Sequence, residues 1–273
     1  FNPMSTGATF AITEKAPVDK IPLITMGYGR SESRNGGVFP WNFPIYGTYW
    51  TAADVLITHL GNINGGLDNL KGKKIALVYH DSPFGKEPIP LLEKRASMHN
   101  FELLKLPVTH PGIEQKSAGT SIRKEQPAYV LVWGWGVMNS TAIKEATGVR
   151  YPRDQIYGIW WAGAEPDVRP AAADAIGYQA VSMISSGQAQ VHKDILSYLY
   201  DAGLGSGERE GVGEVLYNVG LLNAALVVES IRTAQSKYGE KPLTGEQVRW
   251  GIENLNISEQ DIQDLGLSGY MYP

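Results

Sequence analysis

Apolar and polar positions divide the chain into stretches of different rhythm. In the middle, short apolar runs alternate with segments of helical period. Residues 74–80 (KIALVYH) are almost continuously apolar, as in a parallel strand covered on both faces. Residues 101–108, 128–133 (AYVLVW), 156–161 (IYGIWW) and 178–184 read as further strands, and Pro107 marks the first of these as an edge. Residues 91–100, 117–125, 138–147 and 170–175 read as helices. Gly148 stands where a left-handed residue would end the third. Strands and helices alternating at this spacing predict a parallel sheet with helices on both faces.

The flanks differ. Residues 21–25 (IPLIT) read as a strand and 36–43 as a turn plus a short strand. Residues 190–255 carry no strand pattern. An amphipathic helix over 191–202 ends at Gly203, and a glycine- and charge-rich loop follows to 213. A long helix spans 215–238, with Val215, Val219, Leu222, Leu226 and Ile231 near helical spacing. Thr244 and Gln247 form a capping-box pattern ahead of Val248, Ile252 and Leu255. An α/β unit over about 45–185 thus sits between two pieces with too few strands for their own sheet. Either the whole is one irregular domain, or the chain crosses between two lobes.

Composition narrows the class. The chain has 273 residues, 43% hydrophobic and 19% charged, with net charge −4; this suits a sizeable core and excludes disorder. No run reaches the ~18 apolar residues of a membrane span. The basic cluster Lys71, Lys73, Lys74 is too short for a nucleic-acid stripe and reads as a solvated turn. With no cysteine, disulfides and thiolate chemistry are excluded. Gly29–Ser33 fails the nucleophile-elbow pattern, Gly72-Lys73-Lys74 lacks the phosphate-loop hydroxyl, and Gly134-Trp135-Gly136 lacks the third glycine of a dinucleotide fingerprint. Histidines 59, 80, 99, 110 and 192 show no paired spacing, so no metal or cofactor is expected. Asn139 and Asn256 begin glycosylation-type tripeptides, a pattern common by chance.

In open parallel sheets ligands sit beyond the carboxyl ends of the strands. Here those ends carry aromatics beside glycines: Gly27-Tyr28-Gly29-Arg30, His80 to Gly85 with Phe84, Trp133-Gly134-Trp135, and Trp160-Trp161-Ala162-Gly163. Any one of them is more simply core or turn. Four together predict an aromatic-walled pocket. Arg30 is the candidate partner for an anionic group, unless it pairs with Glu32 on the surface.

The order Ser5-Thr6-Gly7, IPLITMGYG, VFPWNFP, KKIALVYHDSPFGKE, AYVLVWGWG, QIYGIWWAG and Tyr217-Asn218-Val219-Gly220 resembles the extracellular solute-binding proteins of branched-chain amino-acid-type ABC transporters. The resemblance runs essentially end to end. It implies an α/β, two-lobed periplasmic-binding-protein-like fold with parallel sheets flanked by helices. Crossovers would lie near Phe43 and Pro44, near Ser185 to Gly187, and near Tyr270 to Pro273. One lobe would be residues 45–186; the other would combine 1–44 with 187–270 and lack its first βαβα stretch, which would account for the start at Phe1. The family holds a ligand carboxylate on loops that correspond here to Ser5, Thr6, Gly27, Tyr28 and Gly29. Phe84 and Trp135 correspond to aromatics of the opposite lobe, and Tyr46, Trp133 and Trp160 complete the expected site. Trp160 stands near the family's ammonium-binding acid, which favours an aromatic or apolar carboxylate over an α-amino acid. Otherwise an acid such as Asp81 or Glu165 takes that role. The implied role is ligand delivery to an ABC permease at the periplasmic or extracellular face, as a monomer that catalyses nothing. A sensor ectodomain of the same fold is one alternative. An enzyme built on His80, Asp81 and Ser82 is another, disfavoured because the three are adjacent in sequence.

Overall fold

The computed structural model describes residues 1–270. The expected crossover at 270–273 therefore lies almost wholly outside the described residues. Five parallel strands form the larger sheet: β3 (Lys74–His80), β4 (Glu102–Val108), β5 (Tyr129–Trp133), β6 (Ile156–Gly158) and β7 (Gln179–Ala180), in the order β4-β3-β5-β6-β7. β1 (Leu23–Met26) and β2 (Asn42–Ile45) pair in parallel as a second, small sheet. Ile75, Ala76, Leu77 and Val78 are all buried, so both faces of β3 are covered and the apolar run needs no alternation. β4 is an edge, as Pro107 requires of a residue without an N–H.

The helices are α1 (Thr6–Thr13), α2 (Ala16–Asp19), α3 (Tyr49–Ile63), α4 (Pro83–Lys86), α5 (Ile89–His99), α6 (Lys116–Glu125), α7 (Val137–Gly148), α8 (Glu165–Val168), α9 (Gln190–Ile195), α10 (Val215–Tyr238), α11 (Gly245–Glu253) and α12 (Glu259–Asp264). α3 packs on α5, and α6 on α7. One core cluster surrounds the larger sheet; a second gathers Met26, Ile184, Val219, Leu222 and Ile262 around α10. α10 is long and apolar enough to cross a membrane by length and composition, a property that core helices share, and no uninterrupted apolar run marks it. Its buried Val215, Val219 and Leu222 serve the second cluster, and Asn218, Asn223, Glu229 and Arg232 break its apolar surface.

Several boundaries differ from the sequence reading. α7 runs through Gly148, and the left-handed residue is Arg150 (φ 60°), so the glycine does not end the helix. The strand expected over 156–161 stops at Gly158; Trp160–Gly163 turns into a 3-10 helix, which sets Trp160 flat against Tyr49. The strand expected over 178–184 reduces to Gln179–Ala180, pairing only with the short β6. Arg169–Ala175 is 3-10 with a break at Ala172. β2 continues through Phe43 and Pro44 to Ile45, and the chain turns at left-handed Tyr46 and Gly47 before Thr48 caps α3. The capping box at Thr244 and Gln247 opens α11 as expected.

Candidate functional site

Four chain segments converge beyond the carboxyl ends of the strands. The first is the start of the chain. Asn2 N–H donates to the Ile24 carbonyl at 2.8 Å, and Met4 N–H donates to the Tyr28 hydroxyl at 2.9 Å, which itself donates to Asn2 Oδ1 at 2.8 Å. These bonds lay residues 2–4 along β1 and aim α1 at the cavity. Ser5 caps α1, its hydroxyl accepting from Ala8 N–H at 3.1 Å, so the amides of Thr6 and Gly7 lie in the positive first turn. The second segment is the turn after β3, where Gly85 packs directly on the His80 carbonyl; an added Cβ would overlap it. This contact brings Ser82, Pro83 and Phe84 to the cavity. The loop Gly134–Gly136 after β5 and the turn after β6 supply Trp135 and Trp161.

Together with Tyr49, Asp167 and Leu216 these segments enclose a cavity of about 560 Å³, in the range of small-molecule sites. Tyr49 is the centre of its wall. Its ring lies 5.2 Å from Phe84, 5.7 Å from Trp133 and 5.6 Å from Trp160, stacked on the last at 20°. Its hydroxyl accepts from Trp161 Nε1 at 2.7 Å. Complete burial holds that phenol's pKa well above the usual tyrosine value, and burial pushes Tyr28 up to about 12. Both are therefore neutral hydrogen-bonding groups. The Thr6 hydroxyl, beside Tyr49, is buried and has no partner among the described residues.

Two ionisable features border the cavity. Asp167 Oδ2 accepts from Gly136 N–H at 2.5 Å and from Asn139 Nδ2 at 2.9 Å, and burial raises its pKa despite these bonds. Asn139 also donates to the Trp161 carbonyl at 3.2 Å, so one network positions the loops of both tryptophans. His80, 6% exposed, has its Nδ1 2.8 Å from Ser82 Oγ and its Nε2 3.2 Å from His110 Nδ1. Burial, and then the neighbouring His110, lower its pKa. Among the described residues no cluster of three metal-ligating acids or histidines occurs.

Of the residues expected from sequence, Ser5, Thr6, Tyr28, Phe84 and Trp135 line this cavity. Six do not. Trp133 is fully buried and Trp160 nearly so, one layer behind Tyr49. Gly27 (φ 67°) admits the Met183 side chain rather than a ligand, and Gly29 packs on Thr9. Tyr46 joins the second core cluster. Arg30 pairs with the Glu14 carboxylate at 3.0 Å and covers the Phe39 ring, so its partner is neither Glu32 nor a group in the cavity. Tyr49, Trp161, His80, Ser82, Asp167 and Leu216 were missed as lining residues. Trp161 and His80 lie in the strand-end motifs already singled out. Tyr49 opens a helix that reads as core, and Asp167 has no local signal. The two acids named instead are occupied: Asp81 binds Lys86 at 2.6 Å, and Glu165 accepts from Val215 N–H at the start of α10.

The periplasmic binding protein family model matches residues 1–261. A protein described as an ABC transporter permease, from the Pseudomonas fluorescens group, is 43% identical; its structure superposes with a TM-score of 0.88 and covers 99% of this chain and 66% of its own. A branched-chain amino-acid ABC transporter protein from Thermus thermophilus, with bound valine, is 22% identical at TM-score 0.77, covering 92% of this chain and 63% of its own. A Rhodopseudomonas palustris solute-binding protein in complex with benzoate is 15% identical at TM-score 0.69, covering 90% of this chain and 64% of its own. The last two show likeness of fold. The chain spans about two thirds of the length of these proteins. No curated protein gives a significant match. With the family model over nearly its whole length and a 43% identical relative, the chain belongs to the type I periplasmic binding protein family, the branched-chain amino-acid type of ABC-transporter substrate-binding proteins.

Proposed function

We propose that this chain binds a small organic acid with an apolar, ring-sized body, and that the protein delivers it to an ABC permease from the periplasmic side. The observation that carries this reading is the Thr6 hydroxyl, buried without a partner in the first turn of α1 beside an aromatic wall. The Tyr49 oxygen already accepts from Trp161, so its own proton is directed elsewhere, with Thr6 as its neighbour. A hydroxyl left without a partner is free to donate to a ligand, and a carboxylate is the acceptor that suits a helix N-terminus. Tyr28, Phe84, Trp135 and Trp161 supply flat apolar surface for the body of the ligand.

The proposed lobes are residues 1–44 with 187–270, and residues 45–186. Ligand contacts from both would favour a closed arrangement over an open one. Binding alone is proposed, as a monomer; Ser82 is read as a ligand contact. A second reading, an α-amino acid, is favoured by Asp167, which offers a cavity carboxylate to an ammonium group. A sensor ectodomain would use the same cavity, and a permease-dependent uptake assay separates the two roles.

Thermal-shift screening against benzoate-type acids and α-amino acids tests the ligand class. Ligand at 100 times its Kd should stabilise by about 2.7 kcal/mol. A shift with aromatic acids alone supports the first reading, and a shift with amino acids alone supports the second. Silence from both panels overturns the acid reading.

A further inference from the structure

The row His110–His80–Ser82 runs from the surface into the cavity. His110 is exposed, His80 is buried, and Ser82 lines the cavity with His80. Each link holds one hydrogen: Nδ1 of His110 with Nε2 of His80, and Nδ1 of His80 with Oγ of Ser82. With both rings neutral the row has two directions. Either every hydrogen points inward and Ser82 donates to the cavity, or every hydrogen points outward and Ser82 donates to His80, showing only lone pairs. An extra proton on either ring removes the choice. His80 must then donate to Ser82, and the serine hydrogen must point into the cavity.

We propose that this row couples acid binding to proton uptake, the surface proton on the histidine pair setting Ser82 as a donor to the ligand carboxylate. The inference rests on the acid reading given above and deepens it. The α1 terminus and the Ser82 turn stand close enough to share one carboxylate, since Gly7 approaches the Pro83 side chain. Trp135 lies over both imidazoles at 5.8 and 5.7 Å, holding the pair at the cavity mouth. The charged groups facing the pair are Asp81, itself tied to Lys86, and, across the cavity, Asp167. Burial and His110 oppose an added proton on His80 and outweigh Asp81, which favours it, so the negative charge of a bound carboxylate is what draws the proton in.

Isothermal titration of the full chain with benzoate and with phenylalanine, between pH 6 and 8, tests this. Two buffers of different ionisation enthalpy give the protons taken up. Neither probe's carboxyl titrates in that window. Affinity is expected to fall as pH rises, by at most about tenfold per pH unit for one linked proton, with up to one proton absorbed. Ser82→Ala should abolish both the slope and the uptake and weaken binding at pH 6; His110→Phe, at an exposed position, leaves only His80 to take the proton and should change both. A flat wild-type profile overturns the proposal while leaving the acid reading intact. A slope that persists in Ser82→Ala also overturns it and moves the proton to another cavity group, with Asp167 the carboxylate that lines the cavity. Failure of both probes to bind at any pH overturns the acid reading, and the coupling with it.

Discussion

Glu87 shows how one residue can tie distant segments and make stability depend on pH. It is 8% exposed, and its Oε1 accepts from Ser31 N–H at 2.7 Å and from the Ser31 hydroxyl, while Oε2 is buried without a partner. Burial raises its pKa from 4.5 to about 8, the Ser31 bonds offsetting only part of the effect. The folded state thus holds this proton more tightly than the unfolded state. The contribution is whole below pH 4.5 and is lost as pH rises through about 8. Thermal melts should show stability falling across that window by an amount on the order of a few kcal/mol, and Glu87→Gln should flatten the profile. At the cavity wall, Tyr49→Phe removes the acceptor of Trp161 Nε1. Urea unfolding should record a loss of about 1 kcal/mol, with weaker binding of whichever acid the screen identifies. Five of the expected residues line the cavity, and the local signal they carry is an aromatic or a hydroxyl at a strand or helix end. Trp133 and Trp160 share that signal but turn inward, because the large aromatic at the centre of the wall is Tyr49 of α3, far away in sequence.

Among the elements, α10 is the one whose environment is least apparent from its own pattern. Its apolar period predicts a helix, and a helix forms. What fastens its start is polar. Asn218 Nδ2 donates to the carbonyls of Ser185, Gly187 and Gly213 at 3.1–3.2 Å, and its Oδ1 lies 2.6 Å from His192 Nε2. One buried amide thereby joins α9, α10 and the segment near 185–187, where the family resemblance implies a crossover. Asn218→Ala should cost about 1–3 kcal/mol, with native-state hydrogen exchange rising first around 185–192 and 213–218. Local opening confined to α10's own end would contradict this coupling. The strands show the opposite case. β3 and β5 were read correctly from their apolar runs, whereas β6 and β7 are shorter than their composition suggests. An apolar run signals burial, but the length of a strand is set by its neighbour, and β6 and β7 pair over only two positions.

For the molecule as a whole, the proposed closure has a direct test. Small-angle scattering should show a smaller radius of gyration with saturating ligand than without it, and no change with a ligand that fails to bind. Equal radii in both states would mean that the cavity fills without lobe motion. Sequence by itself determined the α/β class, the central parallel sheet, the edge role of β4, the long C-terminal helix and the family, because these rest on local periodicity and on the order of short motifs. It also pointed to the strand ends as the place for a ligand. Tertiary structure decided which of those residues face the cavity. It placed Tyr49 and Asp167 there, withdrew Arg30 to Glu14, and turned Ser82 towards a pair of histidines. The reason is physical. Burial and hydrogen-bond direction depend on groups brought together across tens of residues, and no local pattern records them.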